Sequence, residues 1–421
     1  MQLNNKKTIN AWAMYDWANS VYALIITTAV FPLFYENVTN EKVVFFGKTF
    51  VNTEIYSYVI SLSFVLIAFL SPILSGMADY SGNKRKYLQF FCYLGAFSCA
   101  SLYFFDANHF EWSMLPVLLA SIGFSGSLVF YNAYLPEIVT SDLQDQVSAK
   151  GFSLGYIGSS LLLIICLVLI QGFDMPEKWA FVITGVWWLG FGEITFRALP
   201  NNVFKRQPKG NRFVKGYKEL QKVWKELKHQ YELKKYLTAF FVYSMGVQTV
   251  MLMAVFFGTK EITWSSESEM QTGLIISILV IQFIAIAGAY GMAYLSGKIG
   301  NIRTLLVMVF LWILICVSAY TFVHYPIDFY VIAATIGLVM GGIQSMSRST
   351  YSKMLPKTID HASYFSFYDI LEKIGIVFGT FIFGWIEGIF DIRQSVLSLI
   401  VFFMVGFALL LRVKNFGVSQ E

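Results

Sequence analysis

Charge is what this 421-residue sequence has least of: 14% of its side chains are Asp, Glu, Lys or Arg, against about 25% in soluble domains. A water-soluble globule of this length is excluded, because its surface would have to be built from apolar side chains. Cysteine is nearly as scarce. Cys92, Cys99, Cys166 and Cys316 all fall inside apolar runs, which excludes a disulfide or zinc framework and makes them small hydrophobes. The four histidines (His109, His229, His324 and His361) scatter in or beside polar breaks, with no HExxH pair and no nucleophile elbow. Gly47-Lys48-Thr49 lacks the upstream glycine a phosphate-binding loop needs. Neither an enzymatic activity nor a cofactor or metal is expected.

What is abundant is apolar length. Crossing a hydrocarbon core of about 30 Å takes a helix of about 20 apolar residues, and runs of that size recur at 11–35, 55–76, 87–105, 113–135, 151–172 and 179–199. After a polar gap come 236–258, 271–295, 304–324, 328–351, 363–388 and 393–412. The pattern predicts an all-α membrane protein of twelve transmembrane helices in two six-helix bundles, 1–199 and 236–421. A basic amphipathic linker, 200–235, joins them. Each run must close its backbone hydrogen bonds internally, and the runs are far too long for barrel strands. The first run is interrupted by Asp16 and Asn19 and has no small-residue cleavage site, so it reads as the first membrane helix rather than a leader.

Outside the spans, all Lys and Arg except Lys42, Lys48, Lys178, Lys260 and Arg393 fall on the termini and the alternate loops that accompany them; Arg197 and Lys373 lie within spans. The basic side of a membrane protein is cytoplasmic, which predicts both termini inside. The expected location is a bacterial inner membrane. A net charge of +5 does not point to nucleic acid, because eleven of the cations crowd between Lys205 and Lys235. There Phe213, Tyr217, Leu220, Trp224, Leu227 and Tyr231 alternate at four- and three-residue spacing, with lysines opposite. Such a helix suits the anionic surface of the lipid bilayer.

The halves echo each other. At an offset of 220 residues Ser127, Tyr131, Leu135, Pro136 and Gly155 match Ser347, Tyr351, Leu355, Pro356 and Gly375, and Ser81 to Arg85 parallel Ile299 to Arg303 at an offset of 218. Two similar bundles about an axis along the membrane normal can rock around a central site, which favours transport. Gly-xxx-Gly pairs at Gly151/Gly155, Gly375/Gly379 and Gly384/Gly388 predict close helix packing.

The turn from Gly76 through Asp79 and Gly82 to Lys84-Arg85-Lys86 resembles the signature loop of the major facilitator superfamily. That resemblance implies gating by Gly76, Asp79, Gly82 and Arg85, with Asp79 and Arg85 helping to latch the halves. In the second copy Gly297 stands in place of the acid, which argues against an equivalent latch. Further stretches, Ala11 to Ser20, Tyr131 to Glu137, Gly155 to Ser159, Gly341 to Tyr351 and Phe365 to Lys373, resemble the vacuole-effluxer-like branch of that superfamily. The resemblance implies solute efflux, with amino acids the associated cargo.

Candidate binding residues are the polar groups inside the spans, since a charge at that depth must face protein or water. Asp16 and Glu372 are candidates for a proton or a cationic group. Gln344 and Arg348 suit an anionic group, whose geometry the guanidinium fork matches. Asn19, Asn132 and Gln248 offer neutral hydrogen bonds, and Lys373 is the base between Asp369 and Glu372. Plainer roles remain open: packing for Asp16, an intrahelical Asp369–Lys373 pair, snorkelling for Arg348, and a structural Glu193–Arg197 pair. The expected function is secondary active transport of a small polar or zwitterionic solute, with protons as the coupling ion. Export of amphipathic compounds, suggested by an 18% aromatic content, is the alternative, with a non-transporting sensor or scaffold behind it.

Overall fold

The computed structural model describes residues 3–201 and 212–416, with the backbone alone at 212 and 213. Positions 202–211 of the expected linker lie outside the described residues. Helical segments run α1 Lys6–Val38, α2 Asn52–Ser81, α3 Lys84–Phe104, α4 Ala107–Ile138, α5 Gln144–Gly172 and α6 Lys178–Ala198. A non-spanning helix, α7 Arg212–His229, precedes α8 Tyr231–Glu261, α9 Glu267–Ile299, α10 Asn301–Thr321 and α11 Pro326–Met354. Then come α12 His361–Ile389 and α13 Ile392–Leu410. Eleven of these are long and apolar enough to cross a membrane among the described residues. The remaining expected span, α12, has the length but carries Asp369, Glu372, Lys373 and Glu387.

Ends are set by local chemistry. Asn5 caps α1, its side chain accepting from the Lys7 and Thr8 amides at 3.0 and 3.2 Å. Gly82 closes α2 at φ 70°, a left-handed position that favours glycine. Between α1 and α2 the chain forms an antiparallel hairpin, β1 Lys42–Phe45 and β2 Lys48–Val51, with Lys42 opposite Val51. Phe46 and Gly47 both have positive φ, the tight-turn geometry that matches strand twist.

The helices form two compact units. One comprises Met1–Ile138, Ile157–Trp224 and Thr358–Asp369; the other comprises Val139–Tyr156, Lys225–Lys357 and Ile370–Glu421. In the first, α1 packs on α6, α2 on α4, and α3 on α4 and α6. In the second, α8 packs on α13, α9 on α11, and α10 on α11 and α13. The pairing is the same when α1–α6 are set against α8–α13, so the repeat read in the sequence has a counterpart in the packing.

Polar and apolar positions are inverted relative to a soluble protein. Phe69, Phe104, Trp112, Val186, Phe381 and Trp385 are exposed, whereas Ser63, Ser121, Thr184, Thr195 and Thr249 are buried. Lipid can solvate the former, and the hydroxyls other than that of Thr249 bond inside, as Ser63 does with Ser121 at 2.6 Å. The four cysteines are buried free thiols. The tightest glycine seam is between α9 and α11. A Cβ on Gly288 would strike the Leu338 backbone, and one on Gly337 or Gly341 would strike Ile281 or Ala285. Gly379 approaches the Met245 backbone as expected, but Gly384 and Gly388 have open space around them. The packing expected at the latter pair is therefore absent, because that stretch of α12 faces away from its neighbours.

Candidate functional site

In the first unit, the end of α2 meets the start of α12. Asp79 accepts hydrogen bonds from the amides of Ala362 at 3.2 Å and Ser363 at 2.7 Å, so its carboxylate sits where the first-turn N–H groups of a helix lack intrahelical partners. Lys84 Nζ lies 3.6 Å from Asp79 and donates to Glu137 at the end of α4. Glu137 also contacts His361 Nδ1 at 2.9 Å, and Lys222 of α7 reaches Asp360 at 3.2 Å. Asp79, Lys84, Glu137, Asp360 and His361 are all buried. Gly82 supplies the turn. Arg85, expected to latch together with Asp79, instead donates to the Phe196 and Leu199 carbonyls at 3.3 and 3.1 Å. It satisfies the end of α6, where orphan carbonyls and the negative pole of the helix attract a cation.

The second unit repeats this meeting at the equivalent corner, with the acid moved. Asp145, at the start of α5, accepts from Ser296 Oγ at 2.7 Å at the end of α9 and from Asn301 Nδ2 at 2.9 Å. Lys353, at the end of α11, completes it at 2.6 Å. The absence of an acid at Gly297 therefore does not remove the polar cluster. Asp145 provides the carboxylate from the opposite partner, and Asn301 takes the place that Asn83 holds in the first copy. Asp145, Lys353, Glu137 and His361 are not among the site residues expected from the sequence. Each stands at a polar break beside the end of a span, which was the available signal.

Inside the spans, the sequence candidates come together in small groups. Asp16 of α1 is buried and accepts the Tyr131 hydroxyl of α4 at 2.7 Å. Tyr131 is itself fixed by Trp12, which stacks on it at 4.5 Å between centroids and donates its indole N–H to the Tyr131 carbonyl at 3.0 Å. Asn19, one turn on, is buried with its amide nitrogen lacking a hydrogen-bond partner. Asn132, next to Tyr131, is partly exposed. A π-helical stretch, Tyr22–Ala29, follows in α1, a distortion frequent at functional sites.

In the second unit, Glu372 accepts from Gln248 Nε2 at 2.9 Å and lies 3.7 Å from Lys373 Nζ. Three candidates from two helices thus form one contact group, about 17 Å along α12 from its start at 1.5 Å per residue. Gln344 accepts the Tyr156 hydroxyl at 2.6 Å. Arg348 donates to Ser148 Oγ at 3.0 Å and to the Ser148 carbonyl at 2.9 Å, with its guanidinium 4.2 Å from the Phe152 ring centroid. The expected Glu193–Arg197 pair does not form: Glu193 takes the Tyr93 hydroxyl.

The amphipathic helix α7 is docked on the first unit. Gly216 meets Gly76 and Met77 so closely that a Cβ on either glycine would overlap the facing backbone. Val223 is fully buried, and Trp224 lies 5.3 Å from Phe367. The side chain of Phe213 lies outside the described residues. Gly76, expected among the gating residues of the α2–α3 turn, is a seat for α7.

Comparison with known proteins agrees with this arrangement. A family model described as "Vacuole effluxer Atg22 like" matches residues 4–416. The chain belongs to that family. It is 33% identical over 434 residues to an uncharacterized MFS-type transporter, YxiO, of Bacillus subtilis (strain 168), covering 99% of this chain and 97% of the relative. It is 21% identical over 498 residues to autophagy-related protein 22 of Coccidioides immitis (strain RS), covering 90% and 82%. Among solved structures, the human organic anion transporter MFSD10 superposes with a TM-score of 0.72 at 12% identity, covering 97% of this chain and 100% of that one. The MFS transporter FucP, in its outward conformation, gives 0.69 at 12% identity, covering 97% and 98%. The fold of this Atg22-like chain is the twelve-helix fold of the major facilitator superfamily, and the chain is a multi-pass membrane protein.

Proposed function

We propose that the chain is a secondary active transporter that moves a small polar or zwitterionic, amino-acid-like solute by alternating access, with protons as the coupling ion. The observation that carries this reading is the Gln248–Glu372–Lys373 group deep in a span. A carboxylate held there by one amide and one ammonium is placed to exchange a proton or to meet a cationic ligand. Asp16, held by Tyr131, is a second such group. Gln344 and Arg348 serve the carboxylate end of the solute, and Asn19 and Asn132 serve neutral hydrogen bonds. The bundles 1–199 and 236–421 are the moving parts, gated at the corners that hold Gly76, Asp79, Gly82 and Arg85. Both termini face the cytoplasm of a bacterial cell. The name of the matched family and the printed name of the Bacillus relative support the transport part of this reading.

Reconstitution in liposomes tests it. Uptake of labelled amino acids should follow an imposed pH gradient and collapse with a protonophore. If Asp16→Asn and Glu372→Gln both left gradient-driven uptake unchanged, proton coupling through these groups would be abandoned.

A further inference from the structure

Helices α1 and α6 part at one end to leave a cleft of about 680 Å³ lined by Lys7, Asn10, Met14, Ile194, Arg197 and Ala198. The seam below is closed, with Thr195 Oγ1 donating to the Ala11 carbonyl at 2.7 Å. Lys7 and Arg197 are both exposed, and neither side chain has an acidic partner among the described residues, although two cations converge on one opening. The placement of Lys7 is unfavourable in another respect. It lies in the first turn of α1, which contains no acid, next to the positive pole of the helix. An anion in the cleft would offset both costs.

The depth of the cleft fixes what kind of anion. Lys7 is the second residue of the span Lys6–Val38 and Arg197 the last but one of the span Lys178–Ala198, so both stand where apolar helix gives way to water. The other half of the cleft is apolar. Met14 lies two turns further along α1 than Lys7, and Ile194, one turn from Arg197, is 45% exposed on a helix whose outer face is solvated by lipid. A site with two cations at the headgroup level and a greasy floor running toward the membrane interior matches an anionic amphiphile lying along the helix. A guanidinium fork and a flexible ammonium together suit a phosphodiester, the first as a bidentate donor and the second as a point charge.

We propose that this cleft binds the phosphodiester headgroup of an anionic phospholipid, with Lys7 and Arg197 on the phosphate and an acyl chain along Met14 and Ile194. The bound lipid bridges α1 to α6 and steadies the helix that carries Asp16. This assignment stands independently of the transport reading, because it rests on no residue of the proposed solute site.

The test is thermal unfolding of the full chain in a neutral detergent, supplemented with phosphatidylglycerol, phosphatidylcholine or inorganic phosphate. A ligand of the native state raises the midpoint. Phosphatidylglycerol should raise it by several degrees, and the other two additions should not. Lys7→Gln/Arg197→Gln should unfold near the unmodified midpoint without lipid and lose the phosphatidylglycerol shift. Lys42→Gln/Lys48→Gln, which removes the same charge elsewhere, should keep it. An equal shift in the Lys7/Arg197 variant, an equal loss in the Lys42/Lys48 variant, or an equal shift with inorganic phosphate overturns the proposal. Should the Lys7/Arg197 variant not fold, native mass spectrometry of the unmodified chain decides. Retention of phosphatidylglycerol over phosphatidylcholine at equal supply supports the site, and equal retention overturns it.

Discussion

Lys353 at the end of α11 and Asp145 at the start of α5 form an ion pair at 2.6 Å, with side-chain exposures of 5% and 7%. In the first unit the corresponding corner holds Lys84, Glu137 and Asp79. The two corners share their architecture but not their residues. One puts the acid at the end of the second helix of its repeat and uses it to cap a fifth helix; the other puts the acid on the fifth helix itself. A carboxylate and an ammonium removed together from water require each other, whichever element supplies them, so the cluster can be kept while its sequence pattern is exchanged.

Removing one member of the Asp145–Lys353 pair should therefore be costly. Lys353→Met leaves Asp145 buried with only Ser296 and Asn301 as donors, and breaking a buried pair costs about 3–5 kcal/mol. The expected result is a clear fall in the thermal midpoint of the purified protein. Asp145→Asn/Lys353→Met, which leaves no orphan charge, should recover a large part of it. A double variant no more stable than the single one would refute the pairing argument.

Asp79 acts on backbone rather than on a side-chain partner alone. Asp79→Asn keeps an acceptor for the Ser363 amide but loses the charge that faces the α12 N-terminus, an effect of about 0.3–1 kcal/mol in exposed settings and up to about 2 kcal/mol where partly buried. Asp79→Ala also leaves the Ala362 and Ser363 amides without acceptors, at about 1–3 kcal/mol for each buried unsatisfied group. Hydrogen exchange at the first turn of α12 should accelerate in the order Asp79→Ala, Asp79→Asn, unmodified. Equal protection in all three would show that the cap contributes nothing to that turn.

Much of the scaffold was legible in the sequence because membrane spans announce themselves. Twelve apolar runs fall on twelve helices, and the polar breaks at Gly82 and Gly300 fall on turns. The helix over 213–231 was visible in its spacing, but its seat was not. Nothing local distinguishes Gly216 as a contact for Gly76, which is 140 positions away. The site was legible only as a set of polar residues at depth. That Gln248 would meet Glu372, or Tyr131 would meet Asp16, depends on helix rotation, and long apolar runs leave rotation unspecified. The hairpin at 42–51 is not legible in the sequence, because a four-residue strand in a loop has too few side chains to show a period of two. The Gly337-xxx-Gly341 seam was in plain view, with the same spacing as Gly384-xxx-Gly388, which packs on nothing. Spacing gives a face and not its neighbour.

Glycine substitutions separate these cases. Gly76→Ala and Gly216→Ala each place a Cβ against backbone, so α7 should lift from the first unit. Limited proteolysis within 212–229 should speed up severalfold. Gly384→Ala has open space and removes the entropic cost of glycine within a helix, worth up to about 1 kcal/mol, so it should be neutral or slightly stabilising. A lowered midpoint for Gly384→Ala would place a neighbour there that the structure lacks.

The Gln248–Glu372–Lys373 group offers the sharpest separation of binding from coupling. Glu372→Gln preserves an acceptor for Gln248 but cannot exchange a proton, and it leaves Lys373 without its carboxylate 3.7 Å away. If Glu372 carries the proton, this variant should lose pH-driven accumulation by at least an order of magnitude while still exchanging labelled for unlabelled solute across the membrane, a reaction that moves no net proton. Gln248→Ala leaves the carboxylate titratable and removes only its amide donor. It should keep pH-driven accumulation, because the exchangeable proton site remains. Loss of exchange and accumulation together in Glu372→Gln, at an unchanged thermal midpoint, would mean that Glu372 holds the solute instead of the proton.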